Sequence, residues 1–300
     1  VSRGLGDVYK RQEYSVIIDT FDLPLRYDFE HYELNETGKY QVFFEETQGT
    51  ALFKQYIWAS GNSGFALTGV GRNPQEYPTV SIENGIDGSR AIKLETKSTG
   101  QFGETVKMPI AAGNLFLGSF DVNNAVQKPL KATLFGLPFG KKPLKFKGYY
   151  KYVPGTQSFK AKDKNGNTVT ISRQEDEGDI YAVLYEAAGL DGKVLDGNNV
   201  LTSKNIVALA RVEVEKTDRY IEFETSFQYG ERKEISWPQF IYRDTSDDGT
   251  GKYLRFSEEK MKNYEYNLAV VFTSSKYGAY FAGSVGSTLC IDKVEIVCEK

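Results

Sequence analysis

Apolar residues return at every second position in one segment after another of this chain, and that alternation leaves few folds open. In LKFKGYYKY, Leu144, Phe146, Gly148, Tyr150 and Tyr152 share one parity, and Lys145, Lys147, Tyr149 and Lys151 share the other. Successive strand side chains point to opposite faces, so this pattern predicts a strand with one face in a core and one in water. Residues 206–214, 221–227 and 266–272 read the same way, and 180–185 is apolar on both parities, as a central strand covered on both sides should be.

Turn chemistry separates these runs: Asn165-Gly166-Asn167, Leu190-Asp191-Gly192, Asp196-Gly197-Asn198 and Asp247-Asp248-Gly249 supply residues that tolerate positive φ. Helical signal is confined to Ser257, which can cap a short turn over 258–263. Many short strands with almost no helix predict an all-β fold, an antiparallel β-sandwich of jelly-roll type with short helical turns only. Residues 1–12, VSRGLGDVYKRQ, read as translated adaptor sequence and not as native protein. Residues 13–24 read as a linker or the last strand of a preceding domain, and 25–300 as the jelly roll.

Composition removes several functions. The single histidine, His31, eliminates multi-His metal sites and leaves His-based nucleophilic constellations only that residue. A net charge of -3 with no basic stripe argues against nucleic acid as a partner. No apolar run is long enough to span a membrane as a helix. Cys290 and Cys298, eight positions apart, would lie about 26 Å from each other along one strand, beyond disulfide reach.

The closing segment Thr288-Leu289-Cys290-Ile291-Asp292-Lys293-Val294-Glu295-Ile296 poses one problem. Strict period two puts Asp292 on the face of Val294 and Ile296, where an unpaired carboxylate is costly. It must be met by backbone N–H groups, by a cation, or by a bulge that turns it outward.

Several landmarks fall in order: Tyr27-Asp28-Phe29-Glu30, Trp58-Ala59-Ser60-Gly61-Asn62, Ala111-Ala112-Gly113-Asn114-Leu115-Phe116-Leu117-Gly118, Phe135-Gly136-Leu137-Pro138-Phe139, Lys147-Gly148-Tyr149-Tyr150-Lys151-Tyr152-Val153-Pro154-Gly155 and Gly286-Ser287-Thr288-Leu289-Cys290-Ile291-Asp292. Together they resemble the putative carbohydrate metabolism domain family, PCMD, of Bacteroidetes surface proteins. That resemblance implies a jelly roll similar to carbohydrate-binding modules, frequently preceded by an immunoglobulin-like domain and anchored outside the cell as a lipoprotein. It carries over no catalytic residue.

Sugar-binding β-sandwiches use aromatic faces against pyranose C–H surfaces, with amides and acids on the hydroxyls. The chain has 20 Tyr and 19 Phe but only two Trp. Trp58 with Asn62 and Ser63 in a Gly-flanked loop, Trp237 beside Pro238, and Tyr149 on the lysine side of its strand are the candidate contacts. Each has a plainer reading: the tryptophans fill the core, and Tyr149 pairs across strands. Tyr181 and Tyr185 share a parity but sit in apolar surroundings that favour packing. Jelly rolls of this kind often hold a structural calcium, and Asp28, Glu30 and Asp292 are its candidate ligands if the termini pair. Asp244, Asp247 and Asp248 form a second acidic cluster that reads as a solvated turn.

The function expected is glycan capture or utilisation at the cell surface, with polysaccharide or oligosaccharide as partner and other surface proteins of glycan utilisation as a second class of partner. A glycoside hydrolase is the first alternative. It needs two facing carboxylates; Asp179 and Glu186 bracket an apolar strand but at opposite ends. A structural or adhesive surface domain is the second.

Overall fold

The computed structural model describes residues 22–47, 53–187, 190 and 193–300. Most of the expected linker or strand at 13–24 lies outside the described residues, as does part of the Leu190-Asp191-Gly192 turn. Residues 22–25 are not a free linker: Leu23 is buried in the core, Ile296 N donates to Leu25 O at 2.8 Å, and Asp22 accepts from Tyr264 Oη at 2.7 Å.

Two antiparallel sheets face each other. The first, six-stranded, runs Thr217–Ser226, Pro143–Val153, Thr288–Cys298, Ala91–Glu95, Thr79–Ile82, with Arg26–Tyr27 joining Thr288–Cys298. The second, nine-stranded, runs Leu195–Asp196, Thr133–Phe135, Asn114–Phe120, Tyr266–Thr273, Asp179–Glu186, Ile206–Val212, Gln228–Tyr229, with Trp58–Ala59 and Leu137–Pro138 paired off that path. The all-β sandwich expected from periodicity is what forms, and the helices are short: Asn62–Ala66, Gly100–Thr105 and Glu258–Lys262. Ser257 caps the last of these, accepting from Lys260 N at 3.4 Å.

The inward parities meet between the sheets. Phe146, Tyr150, Ile291 and Val294 from the first pack against Leu184, Leu268, Val270 and Phe272 from the second, and the Phe146 and Phe272 rings lie 6.2 Å apart. Burying such side chains contributes about 1.5–3 kcal/mol each. Leu144 departs from its predicted parity and is exposed, because the register against Thr288–Cys298 shifts between Pro143 and Lys145.

The second sheet is covered on its other face too. Phe116, Tyr181, Val183, Tyr185, Leu209 and Val271 form a second apolar layer beneath the connecting loops. That is why 180–185 reads apolar on both parities.

Asp292 is resolved by a bulge. Lys147 pairs with Glu295 while Tyr149 pairs with Asp292, so the closing strand carries one extra residue, and Lys293 takes φ 48°. Leu289 and Ile291 point inward before the bulge and Val294 and Ile296 after it, which leaves Asp292 on the outer side. There the Gly85–Ser89 loop covers it. Ile86 N at 2.7 Å and Ser89 Oγ at 2.8 Å meet Oδ2, and Lys293 N donates to Oδ1 at 2.7 Å. Gly85 makes the approach possible: a Cβ there would stand 2.7 Å from Oδ2.

The cysteines are free, Cys290 buried and Cys298 half-buried. Among the described residues no helix is long and apolar enough to cross a membrane.

Candidate functional site

The loops over the outer face of the nine-stranded sheet do not close it completely. They leave a cleft of about 190 Å³ whose floor includes Phe116, Val271, Tyr181 and Asp179. Register explains the floor. Ala59, Phe116, Val271, Tyr181 and Arg211 stand opposite one another in one row across neighbouring strands, and Asn114, Thr273 and Asp179 form the next.

Its lining includes Trp237, residues of the Lys276–Phe281 turn, and residues of the Asn62–Ala66 and Gly100–Thr105 helices. Trp237 is half-buried. Tyr280 meets it edge-on at 5.9 Å, Tyr277 lies tilted at 6.2 Å, and the Arg243 guanidinium stacks over it at 4.8 Å. Phe102 also lines the cleft, with 40% of its surface exposed, enough for a ligand to reach the ring. Asn198, Thr202 and Thr133 add polar groups, and Thr133 Oγ1 is buried without a hydrogen bond.

Asp179 is the one acid among the described lining residues. It is fully committed: Arg211 Nε donates to Oδ1 at 2.9 Å and Nη2 to Oδ2 at 2.6 Å, a bidentate pair. Burial works against the Arg211 charge, but Asp179 outweighs it and holds the guanidinium above its ordinary range. Tyr181, beside the pair, is pushed up by burial and then by the Asp179 charge, so it stays a neutral phenol. Glu186, at the far end of the same strand and about 23 Å away along it, pairs with Lys260 at 2.6 Å. The two acids that bracket this strand therefore do not face each other.

The structure brings one of the sequence candidates, Trp237, into the cleft, together with Tyr181. Trp58 is corrected to a core residue: it is 4% exposed, packs against Tyr27 at 5.0 Å and Phe29 at 5.4 Å, and donates its Nε1–H to Glu45 at 2.8 Å. Asn62 is also interior. Its Nδ2 donates to Thr79 O at 2.8 Å and its Oδ1 accepts from Thr79 N at 3.1 Å, tying its helix to the sheet. Tyr149 is half-buried on the outer face of the six-stranded sheet, opposite Glu222 and Asp292, across the sandwich from the cleft. Tyr185 is packed, donating to Phe135 O at 2.6 Å.

Each of the calcium candidates has a partner within the chain. Asp292 is occupied by the donors named above, Glu30 accepts from Arg90 N at 2.9 Å, and Asp28 accepts from Glu30 N at 3.3 Å. Among the described residues no group of three or more His, Cys, Asp or Glu is placed to hold a metal. Asp244 and Asp248 serve turns: Asp244 accepts from Ser246 N at 2.9 Å, and Arg243 donates to Asp248 at 2.6 Å.

Sequence reasoning missed Phe102, Tyr280 and Phe281. A signal existed in Gly100-Gln101-Phe102-Gly103 and Tyr277-Gly278-Ala279-Tyr280-Phe281, where aromatic residues sit among glycines outside any alternating run.

The model of the family described as putative carbohydrate metabolism domain matches residues 28–297. A crystal structure titled as a putative glycoside hydrolase from Bacteroides thetaiotaomicron superposes with a TM-score of 0.76 at 40% identity, over 93% of this chain and 72% of that one. A second of the same description, from Bacteroides vulgatus, gives 0.73 at 34% identity over 93% and 100%. A family 11 carbohydrate-binding module of Clostridium thermocellum reaches only 0.32 at 10% identity and carries no argument. No protein with a curated description matches. The match over nearly the whole length, with relatives at this identity, places the chain in the putative carbohydrate metabolism domain family.

Proposed function

We propose that the chain binds glycan, without cleaving it, in the cleft on the outer face of its nine-stranded sheet, and does so at the cell surface. The observation that carries this reading is the combination of Trp237, Tyr280 and exposed Phe102 around one opening with an acid, Asp179, that is locked to arginine. Aromatic faces cover sugar C–H surfaces, while Asn198 and Thr202 can serve hydroxyls. The carbohydrate character of the family and the cell-surface setting implied by its resemblance agree with this use.

Hydrolysis is the second reading, and the descriptions of the two Bacteroides relatives favour it. A glycosidase needs one carboxyl group to protonate the leaving oxygen and another to activate or become the nucleophile. Both oxygens of Asp179 are taken by Arg211, and no second acid lines the cleft among the described residues.

Titration against a panel of polysaccharides, with reducing-sugar release measured on the same mixtures, tests both. Binding that weakens about tenfold in Trp237→Ala, with no sugar released, supports the proposal. Binding indifferent to Trp237→Ala would overturn the placement of the site, and release of reducing sugar would replace the proposal with the second reading.

A further inference from the structure

Most polar side chains around the cleft are already hydrogen-bonded within the chain. Thr68 donates to Phe65 O at 2.7 Å, Thr273 to Ser275 O at 3.1 Å, and Ser275 to Asp176 at 2.6 Å. Asn114 is used at both ends of its amide, donating to Ala112 O at 3.3 Å and accepting from Gly61 N at 2.8 Å. Lys276 is paired with Glu177 and Asp179 with Arg211. Thr133 Oγ1 and Tyr280 Oη have no partner, but both atoms are buried. Few groups are left for sugar hydroxyls, and a hydroxyl buried without a partner is costly. Thr202 is one of those groups, and it lies near Trp237: Arg243 donates to its hydroxyl at 2.7 Å and stacks over that indole.

The rest of the lining is largely apolar. Phe65, Ile110, Phe116, Ala132, Phe135 and Val271 line the cleft and are all buried. A volume of about 190 Å³ is small for a sugar chain, since sites that enclose a drug-sized molecule start at about 300 Å³. It is closer to the hydrocarbon-lined cavity of about 150 Å³ that takes up benzene. Size and lining therefore suit one aryl ring or a short acyl chain better than a pyranose stripped of its water.

We propose that the cleft receives an apolar group carried by the glycan, an aryl or short acyl substituent, while the sugar stays at the opening against Trp237 and Phe102. The inference rests on the proposed glycan cleft and deepens it by naming the ligand class, a substituted glycan. Apolar burial supplies affinity in proportion to the area removed from water, so the substituent, and not the sugar hydroxyls, sets the strength of binding.

The test titrates the full chain with pairs that differ only in the substituent: phenyl and methyl glycosides of glucose, galactose, mannose and xylose, and O-butyrylated polysaccharides beside their saponified forms. The substituted member of at least one pair should bind about tenfold tighter, and the pair that shows it tells aryl from acyl. Ala125 and Ala279 line the cleft without being fully buried, so a larger side chain at either narrows it without forcing the core apart. Ala125→Leu and Ala279→Leu should each cut the ratio of the two affinities about threefold or more, and either position serves alone if the other variant does not fold. Equal affinity for both members of every pair, or a ratio unchanged in the folded variants, would overturn the proposal and leave the glycan cleft standing. Failure of every polysaccharide and glycoside to bind would overturn both.

Discussion

Replacing Asp292 with alanine tests how the closing strand is anchored. The carboxylate accepts from Ile86 N at 2.7 Å and Lys293 N at 2.7 Å, and shares the Ser89 hydroxyl at 2.8 Å with the Ile86 carbonyl at 2.6 Å. Alanine leaves both N–H groups without an acceptor, at about 1–3 kcal/mol each. Removing a buried carboxylate returns part of that cost, since burial outweighs the donors and raises the Asp292 pKa. The net loss should be about 2–4 kcal/mol, or about 4–12 °C in Tm for a chain of this size. Thermal and urea unfolding of Asp292→Ala, with and without a calcium chelator, measures it. A variant melting within about 1 °C of the parent would refute the hydrogen-bond account, and a parent destabilised by chelator would show that a cation holds this carboxylate.

Acidification should stabilise the protein before it unfolds it. Glu45 is pushed up to about 7 by burial, with the Trp58 Nε1–H opposing, and Asp176 up to about 6 by burial against its Ser275, Ser284 and Ser287 donors. A carboxyl group whose folded pKa is raised contributes stability that is present below its unfolded pKa and lost as pH rises through the folded one. Stability should therefore increase from pH about 8 to about 5 by up to about 3 kcal/mol per group, and Glu45→Gln should flatten the profile; stability unchanged over that range would contradict the assignment. Below that window, Asp22, Glu33 and Asp248, whose pKa values are lowered chiefly by hydrogen bonds from Tyr264, Lys54 and Arg243, are protonated and stability is lost again. Trp58→Ala should cost about 3–5 kcal/mol of stability and leave glycan affinity at moderate temperature unchanged; a folded variant with lost binding would return Trp58 to the site. Arg211→Met should destabilise by about 3–5 kcal/mol by stranding Asp179, and Arg211→Met together with Asp179→Leu should recover much of that in urea unfolding; no recovery would refute the ion-pair reading.

The fold was legible because alternation survives in the long strands. Pro143–Val153, Ile206–Val212, Thr217–Ser226 and Tyr266–Thr273 all form where period two places them. Residue 180–185 hydrophobicity announced a two-sided strand, and the second apolar layer of Phe116, Tyr185 and Leu209 is its cause. The cleft was harder to read, since its walls are loops and short helices that no periodicity marks. Trp58 misled because a glycine-flanked tryptophan in a polar stretch looks exposed, while its Glu45 partner and the Tyr27 and Phe29 rings come from distant segments. Asp292 showed that something must meet it, but the bulge and the Gly85–Ser89 cover depend on register that alternation alone does not fix.

Affinity of the parent and of Trp237→Ala for the same polysaccharide, measured side by side with their melting temperatures, bears most directly on where this protein meets sugar. The cleft account predicts affinity reduced about tenfold with Tm shifted far less than in Asp292→Ala. Undiminished affinity in a folded Trp237→Ala, with loss instead in Tyr149→Ala on the opposite sheet, would contradict it.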